Sequence, residues 1–462
     1  MMLSSNDVAG LRRLLGAAHR RGASPAKICS LLERAVAGLY RPRGGFVKRD
    51  LDIAFLVKAI GGPRLLYALG KSHGLASWRT VKCHLKIPKL IPSVGIPSVD
   101  EINHNISSFL DPDVKPPLDC PPNGYLSGNI MMFDGIALET RCRYCPEQDK
   151  ILGLCCEHSN NINNKVDGVK SVEKIHSALA SDDSATKVCF GSDATVVAIA
   201  QYSDDKYYSP IPLVASPSDK TEKADDLARW MRIILDAWKS HKFGEKTNGP
   251  IWSLASDGDS TYCAVKFKIC MEKIIETNSY LGKVLTYLLG LNQFTSEDGV
   301  TLTGDPKHIF KQFATLLQSL AGFMINQNVI KPSDIAAHLA MLSDMDVMSA
   351  WQLLDPADKQ NVPKAVTLLQ SLLQLKDLPT PEHPAKNQKR KAIIFAAEFM
   401  GYFMYPFIDV DMNLTNQLEN LATYSFLAAA MHIRHGTNCL TSALYADTSE
   451  EHYVHCCADA ES

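Results

Sequence analysis

Apolar positions in this chain follow helical spacing at both ends and strand-like runs only in between. Leu11, Leu14 and Leu15, then Ile28, Leu31, Leu32, Val36 and Leu39, recur at three- and four-residue intervals and predict two short helices within residues 6–40. Ser24 and Pro25 supply the second with an N-cap and a first-turn proline. The run LDIAFLVKAIGGPRLLYAL at 51–69 is again helical, broken at Gly61-Gly62-Pro63. Residues 87–123 hold eight prolines and read as a linker. From Asn129 the pattern changes. NIMMFDGIALE predicts a strand, RCRYC and ILGLCC a hairpin around the polar turn 146–150, TVVAIAQY at 195–202 a buried strand, and IWSLAS at 251–256 a strand running into Asp257. A short helix at 169–180 and an amphipathic one at 223–241 separate them. Beyond Asp257 the spacing predicts helices at 263–276, 308–320, 333–342, 362–373, 392–406 and 414–435, with no strand of comparable strength.

These elements predict an α+β (mixed α/β) protein: a basic helical region at 1–90, a proline-rich linker at 91–125, a sheet-containing domain at 126–308, an all-helical part at 309–444 and a frayed, disordered tail at 445–462. Asp134 falls on the first strand and Asp257 at the end of the strand after the 223–241 helix. A ribonuclease H-like sheet brings two such carboxylates together, because its first and fourth strands lie side by side.

Charge sharpens the division. The whole chain of 462 residues has a net charge of −2, yet residues 1–90 carry 17 Lys+Arg against 4 Asp+Glu, and the rest 31 against 46. A basic arm on an acidic body suits contact with phosphates, here through Arg12, Arg13, Arg20, Arg21, Arg41, Arg43, Lys48 and Arg49. No run of roughly 18 apolar residues and no secretory signal pattern is evident, so a nuclear or cytoplasmic protein, neither secreted nor membrane-inserted, is expected. Thirteen cysteines without framework spacing read as reduced thiols.

The candidate chemistry is that of paired carboxylates. Two-metal phosphodiester cleavage needs carboxylate oxygens that bridge ions about 3.5–4 Å apart, and Mg²⁺ prefers such hard ligands. Asp134 and Asp257 each follow an apolar run that would present them at one end of the sheet. The segments FDGIALETRCRYCPEQDKILG at 133–153, SLASDGDST at 253–261 and Asp305-Pro306-Lys307-His308 with the following IFKQFATLL stand in the order found in P-element-like DNA transposases. GGPRLLYALGKSHGLASWRTV at 61–81 is similar to the helical segment that precedes the nuclease domain of that family. The chain thus resembles these transposases, and their fungal members most, over residues 50–445.

The resemblance implies a ribonuclease H-like nuclease fold with a helical insertion, Asp134 and Asp257 as catalytic ligands of Mg²⁺ or Mn²⁺, Asp305 and His308 in support, DNA as partner, and a possible homo-oligomer. It implies GTP binding only in so far as some members bind GTP through the helical insertion. Asp305 has an alternative role as a helix cap. The family's final Glu, on a late helix in a Leu-Glu-x-x-Phe-Gly-like setting, has no counterpart here, and Glu450 and Glu451 stand in a different context. The expectation is therefore a C-terminally truncated, catalytically incomplete transposase relative, with a non-catalytic helical scaffold as the alternative. Separately, Cys142-x2-Cys145 and Cys155-x2-His158 have zinc-knuckle spacing on either side of the hairpin turn. Gly70-Lys71-Ser72 lacks the earlier glycine of a phosphate loop.

Overall fold

The computed structural model describes residues 8–36, 46–73, 75–85, 87–112, 127–146, 148–183, 185–202, 209–279, 282–283, 287, 292–358 and 361–450. The chain divides into two compact units, Met1–Lys89 and Leu90–Ser462.

The first unit contains the helices Val8–Arg20, Pro25–Val36, Lys48–His73 and Trp78–His84. Ser24 Oγ accepts the Lys27 N–H at 3.4 Å, the N-cap that the sequence predicts. The third helix bends at Gly62, whose φ of 75° favours glycine and precedes Pro63. Leu51, Ala54, Leu66, Ala76 and Val81 form a small core. By length and composition alone Lys48–Lys71 and Pro384–Ile408 would each suffice to cross a membrane. The former is kinked at Gly62, and the latter contributes Ile393, Phe399, Phe403 and Met404 to the core of the second unit.

The second unit is built on a five-stranded sheet: β1 (Asn129–Ala137), β2 (Asp193–Gln201), β3 (Ile211–Ser218), β4 (Ile251–Ser256) and β5 (Thr301–Thr303), in the order β3-β2-β1-β4-β5. β2 runs antiparallel to both neighbours, whereas β1, β4 and β5 are mutually parallel. β1 buries Met131 and Phe133, then runs out of the core at Asp134. β4, flanked on both sides by parallel strands, is buried from Ser253 to Ser256. The helices Ala224–Ser240 and Ser260–Cys270 supply Trp230, Ile234, Trp238, Val265 and Ile269 to the sheet's core. Helices from Pro306–Leu317 to Ser442–Glu450 surround a second core that contains Phe313, Phe399, Phe403 and Tyr424, where Phe399 and Tyr424 stack at 4.8 Å.

Five expectations need correction, the first being the all-helical part at 309–444, which carries the short hairpin Phe323–Ile325/Asn328–Ile330. The hairpin Arg143–Cys145/Lys150–Leu152 forms, but it is a separate ribbon outside the main sheet. Its place in the sheet is taken by β3, which carries Pro212 and Pro217, tolerable on an edge strand because one row of N–H groups is left without a ladder partner. β5 is three residues long, too short to register as a period. The linker at 91–125 contains the helix Val99–Leu110, started by a capping box of Ser98 and Glu101, and Ile102, Ile106 and Leu110 are buried in the sheet's core. Within it the buried Asn105 donates to the carbonyls of Ile91 and Leu213 and accepts the Ile91 N–H. Finally, the segment read as tail from 445 continues as a helix to Glu450, with Asp447 and Thr448 buried. Residues 451–462, including Glu451, lie outside the described residues, as do 113–126 of the linker.

Candidate metal centre at the strand ends

Parallel pairing matches Phe133 of β1 with Ser256 of β4, so the next residue of each strand, Asp134 and Asp257, emerges at the same end of the sheet. The two line one cleft of about 160 Å³ together with Asp193, Glu222, Asp259 and Lys220. Partial burial, then the nearby Asp257 and Asp305 charges, raise the Asp134 pKa above its ordinary value, against the lowering effect of the Gly135 N–H that it accepts at 2.7 Å and of Lys311. Glu222 is also raised, first by burial and then by the Glu157 carboxylate. Burial pushes the Tyr262 hydroxyl in this cleft up to about 12. Its ring meets Phe133 edge-on at 5.2 Å.

The neighbouring acids are less available. Asp259 caps the Ser260–Cys270 helix by accepting the N–H groups of Thr261 and Tyr262. The Asp257 carboxylate, by contrast, accepts only the Asp259 N–H among the bonds described for it, at 3.2 Å, which leaves its second oxygen for a ligand. Asp305 caps the Pro306–Leu317 helix through the Lys307 N–H at 3.0 Å. His308, in the first turn of that helix, lines a small hollow with Asp257, Asp305, Lys266 and Asp447.

Asp447 is the residue that sequence reading missed. It sits on the Ser442–Glu450 helix, far along the chain, and its Oδ2 accepts the Gln312 side-chain amide at 2.6 Å. A Cβ on Gly258 would approach that oxygen to 2.8 Å and His308 Nε2 to 3.4 Å, so a side chain there would push the Asp447 carboxylate aside. Lys266, almost wholly buried, brings its ammonium into the same hollow and donates to the Thr303 carbonyl at 2.9 Å. A late helix thus delivers an acid to the end of the sheet where Asp134 and Asp257 emerge, although the surrounding residues bear no Leu-Glu-x-x-Phe-Gly pattern. The spacing of the tail carried no signal for it, because the helix is nine residues long and mostly polar.

The four residues of the zinc-knuckle pattern do not gather as one set. Cys142 packs with Leu154 and Ile151, and neither it nor Cys145 belongs to a metal-sized cluster among the described residues. Cys155 and His158 instead gather with Cys189 and Asp219, their ligand atoms all within 4.8 Å of one another.

Of the eight basic residues singled out in the first unit, Arg20, Arg21, Lys48 and Arg49 are exposed. Arg13 lies over the Phe46 ring at 4.3 Å. The Arg12 side chain, Arg41 and Arg43 lie outside the described residues.

No protein-family model matches the chain, and no curated protein matches it in sequence. Among solved structures it is similar to the Drosophila P element transposase strand transfer complex, with a TM-score of 0.50 over 91% of this chain and 81% of that one, at 10% identity. At that identity the likeness is one of fold, and the chain has a mixed α+β, transposase-like fold.

Proposed function

We propose that this protein is a transposase-derived DNA-binding protein with a ribonuclease H-like core, in which Asp134 and Asp257 hold Mg²⁺ or Mn²⁺ against a DNA backbone. The observation that carries the reading is the convergence of Asp134 and Asp257 from adjacent parallel strands in one acid-lined cleft. The order β3-β2-β1-β4-β5, with β2 alone reversed, supports the ribonuclease H-like assignment. The fold shared with the P element transposase supports DNA as partner.

The donor set fits a hard divalent cation: carboxylate oxygens, little direct hydrogen bonding to the Asp257 carboxylate, and an Asp134 whose ionisation is opposed first by burial and then by nearby negative charge that a cation would offset. Such a cation, when bound, would polarise the phosphoryl oxygens and the attacking water or hydroxyl. Asp134 and Asp257 would hold it, while Asp305 caps the helix whose first turn carries His308. Asp447, which lines the adjoining hollow with Asp257 and His308, is the acid we assign to the late-helix role, and strand cleavage as against binding alone is the activity that tests it. Exposed Arg20, Arg21, Lys48 and Arg49 of the first unit contact duplex phosphates.

The test is incubation of the full chain with Mn²⁺ and labelled DNA bearing transposon terminal repeats. Cleavage that disappears in Asp134→Ala and Asp257→Ala supports the reading. DNA left intact at every Mn²⁺ concentration, together with Mn²⁺ binding unchanged in the two variants, overturns it.

A further inference from the structure

A second cluster of ligating groups lies outside the carboxylate pair, and three separate stretches of chain build it. The turn that follows the hairpin carries Cys155 and His158, three residues apart, and folds the imidazole back so that Nδ1 lies 3.2 Å from Cys155 Sγ. Cys189 belongs to the segment leading into β2. An antiparallel bridge between Leu154 and Phe190 and the bond from the Cys155 N–H to the Cys189 carbonyl, at 2.9 Å, hold the two cysteines next to each other. Asp219 follows the last residue of β3, and its Oδ2 lies 3.4 Å from the same His158 Nδ1.

Asp219 is also held in orientation. Its Oδ1 accepts the Thr221 N–H at 3.1 Å and the Thr221 hydroxyl, which leaves Oδ2 turned toward the histidine. The Glu157 carboxylate accepts the Asp219 N–H and the Ser218 hydroxyl, fixing the backbone from the other side. Support of this kind, in which the spare atom of a ligand is tied down by a neighbour, is what orients metal ligands.

We propose that Cys155, His158, Cys189 and Asp219 form a structural Zn²⁺ site that staples the 153–158 turn to the ends of β2 and β3. Two thiolates, an imidazole nitrogen and a carboxylate oxygen are a closed set of four soft-to-borderline ligands, the number and type that tetrahedral zinc takes. Bonds of about 2.3 Å to sulfur and 2.0–2.2 Å to nitrogen and oxygen put the ligand atoms about 3.3–3.8 Å apart, close to the 3.2 and 3.4 Å separations at His158. Carboxylate-only cations such as Mg²⁺ have no affinity for the two thiols, so this site and the Asp134/Asp257 pair select different ions. The staple also has a place in the architecture. Ser218 and Lys220, on either side of Asp219, line the carboxylate cleft, and Lys220 pairs with Asp193 at 3.3 Å. The proposal stands on this geometry alone and does not require the nuclease reading.

The test is metal analysis of the full chain purified without chelator, alongside Co²⁺ substitution. About one zinc per chain is expected, with a mercurial thiol reagent needed to release it, and the Co²⁺ form should show the visible bands and thiolate charge transfer of a tetrahedral two-sulfur site. Cys155→Ser with Cys189→Ser should lower the zinc content at least tenfold, whereas Cys142→Ser with Cys145→Ser should retain it. Wild-type protein with no zinc that also fails to develop the Co²⁺ spectrum overturns the proposal, and this readout does not depend on a variant folding. So does zinc retained in the first pair and lost in the second, or a mass two hydrogens lower that maps to a Cys155–Cys189 disulfide.

Discussion

Phe133 and Ser256 are partners across the parallel pair β1 and β4, and the aspartates that follow them leave the sheet side by side. Asp134 therefore ionises next to Asp257, with Asp305 also near enough to raise its pKa.

Removal of that charge should stabilise the protein when no divalent cation is bound. Burial and then the neighbouring acids raise the folded-state pKa of Asp134 above its unfolded value. The resulting cost is absent below the unfolded value, grows as pH rises through the folded one, and is fully present above it. Asp134→Asn should thus raise the melting temperature at pH 7 in chelating buffer, by less than about 1 kcal/mol because the exposed group is screened. The gain should shrink as pH falls toward about 4. In Mn²⁺ the order should reverse, since a cation at tenfold its Kd stabilises the wild type by about 1.4 kcal/mol. Thermal melts with and without Mn²⁺ check both.

Asp447 separates stability from activity. Asp447→Ala leaves the half-buried Gln312 amide without the acceptor that the buried Asp447 supplies and should cost roughly 1–3 kcal/mol in denaturant unfolding. Asp447→Asn keeps an acceptor oxygen and should be nearly as stable as wild type. If the late acid takes part in the chemistry, Asn should nevertheless lower the Mn²⁺-dependent cleavage rate by about 10²–10³. Equal rates for wild type and Asn would confine Asp447 to a packing role.

The Val99–Leu110 helix should behave as core. Ile102→Ala, at a side chain with no exposed surface, should cost about 2–5 kcal/mol. Asn105→Ala removes the partner of the Ile91 N–H and of the Ile91 and Leu213 carbonyls, and should be comparably damaging. A linker would tolerate both, so equilibrium unfolding of the two variants decides.

Charge reversal at Arg20, Arg21, Lys48 and Arg49 should weaken duplex DNA binding by a similar factor for all sequences. Each lost phosphate contact should reduce the slope of log affinity against log salt by about 0.9. Fluorescence anisotropy across a salt series measures both effects. Weakening restricted to one sequence would point to base readout instead.

Much of this protein was legible in the order of its residues. Helices such as Val362–Leu373 and Leu414–His435 coincide with their apolar spacing, because a helix that buries one stripe must repeat that stripe locally. β1 and β4, with an aspartate at the end of each apolar run, were legible for the same reason, and so were the Ser24 cap and the break at Gly62. What only the tertiary structure decided depends on contacts between distant segments. β3 tolerates its prolines because it lies at an edge, and β5 is defined by pairing with β4 rather than by its own three residues. Cys189 and Asp219 replace Cys142 and Cys145 beside Cys155 and His158 because strand ends, not sequence intervals, bring those atoms together. Asp447 reaches the sheet for a like reason: a short polar helix has no period of its own to read, and its position is set by the core it closes and by Gln312.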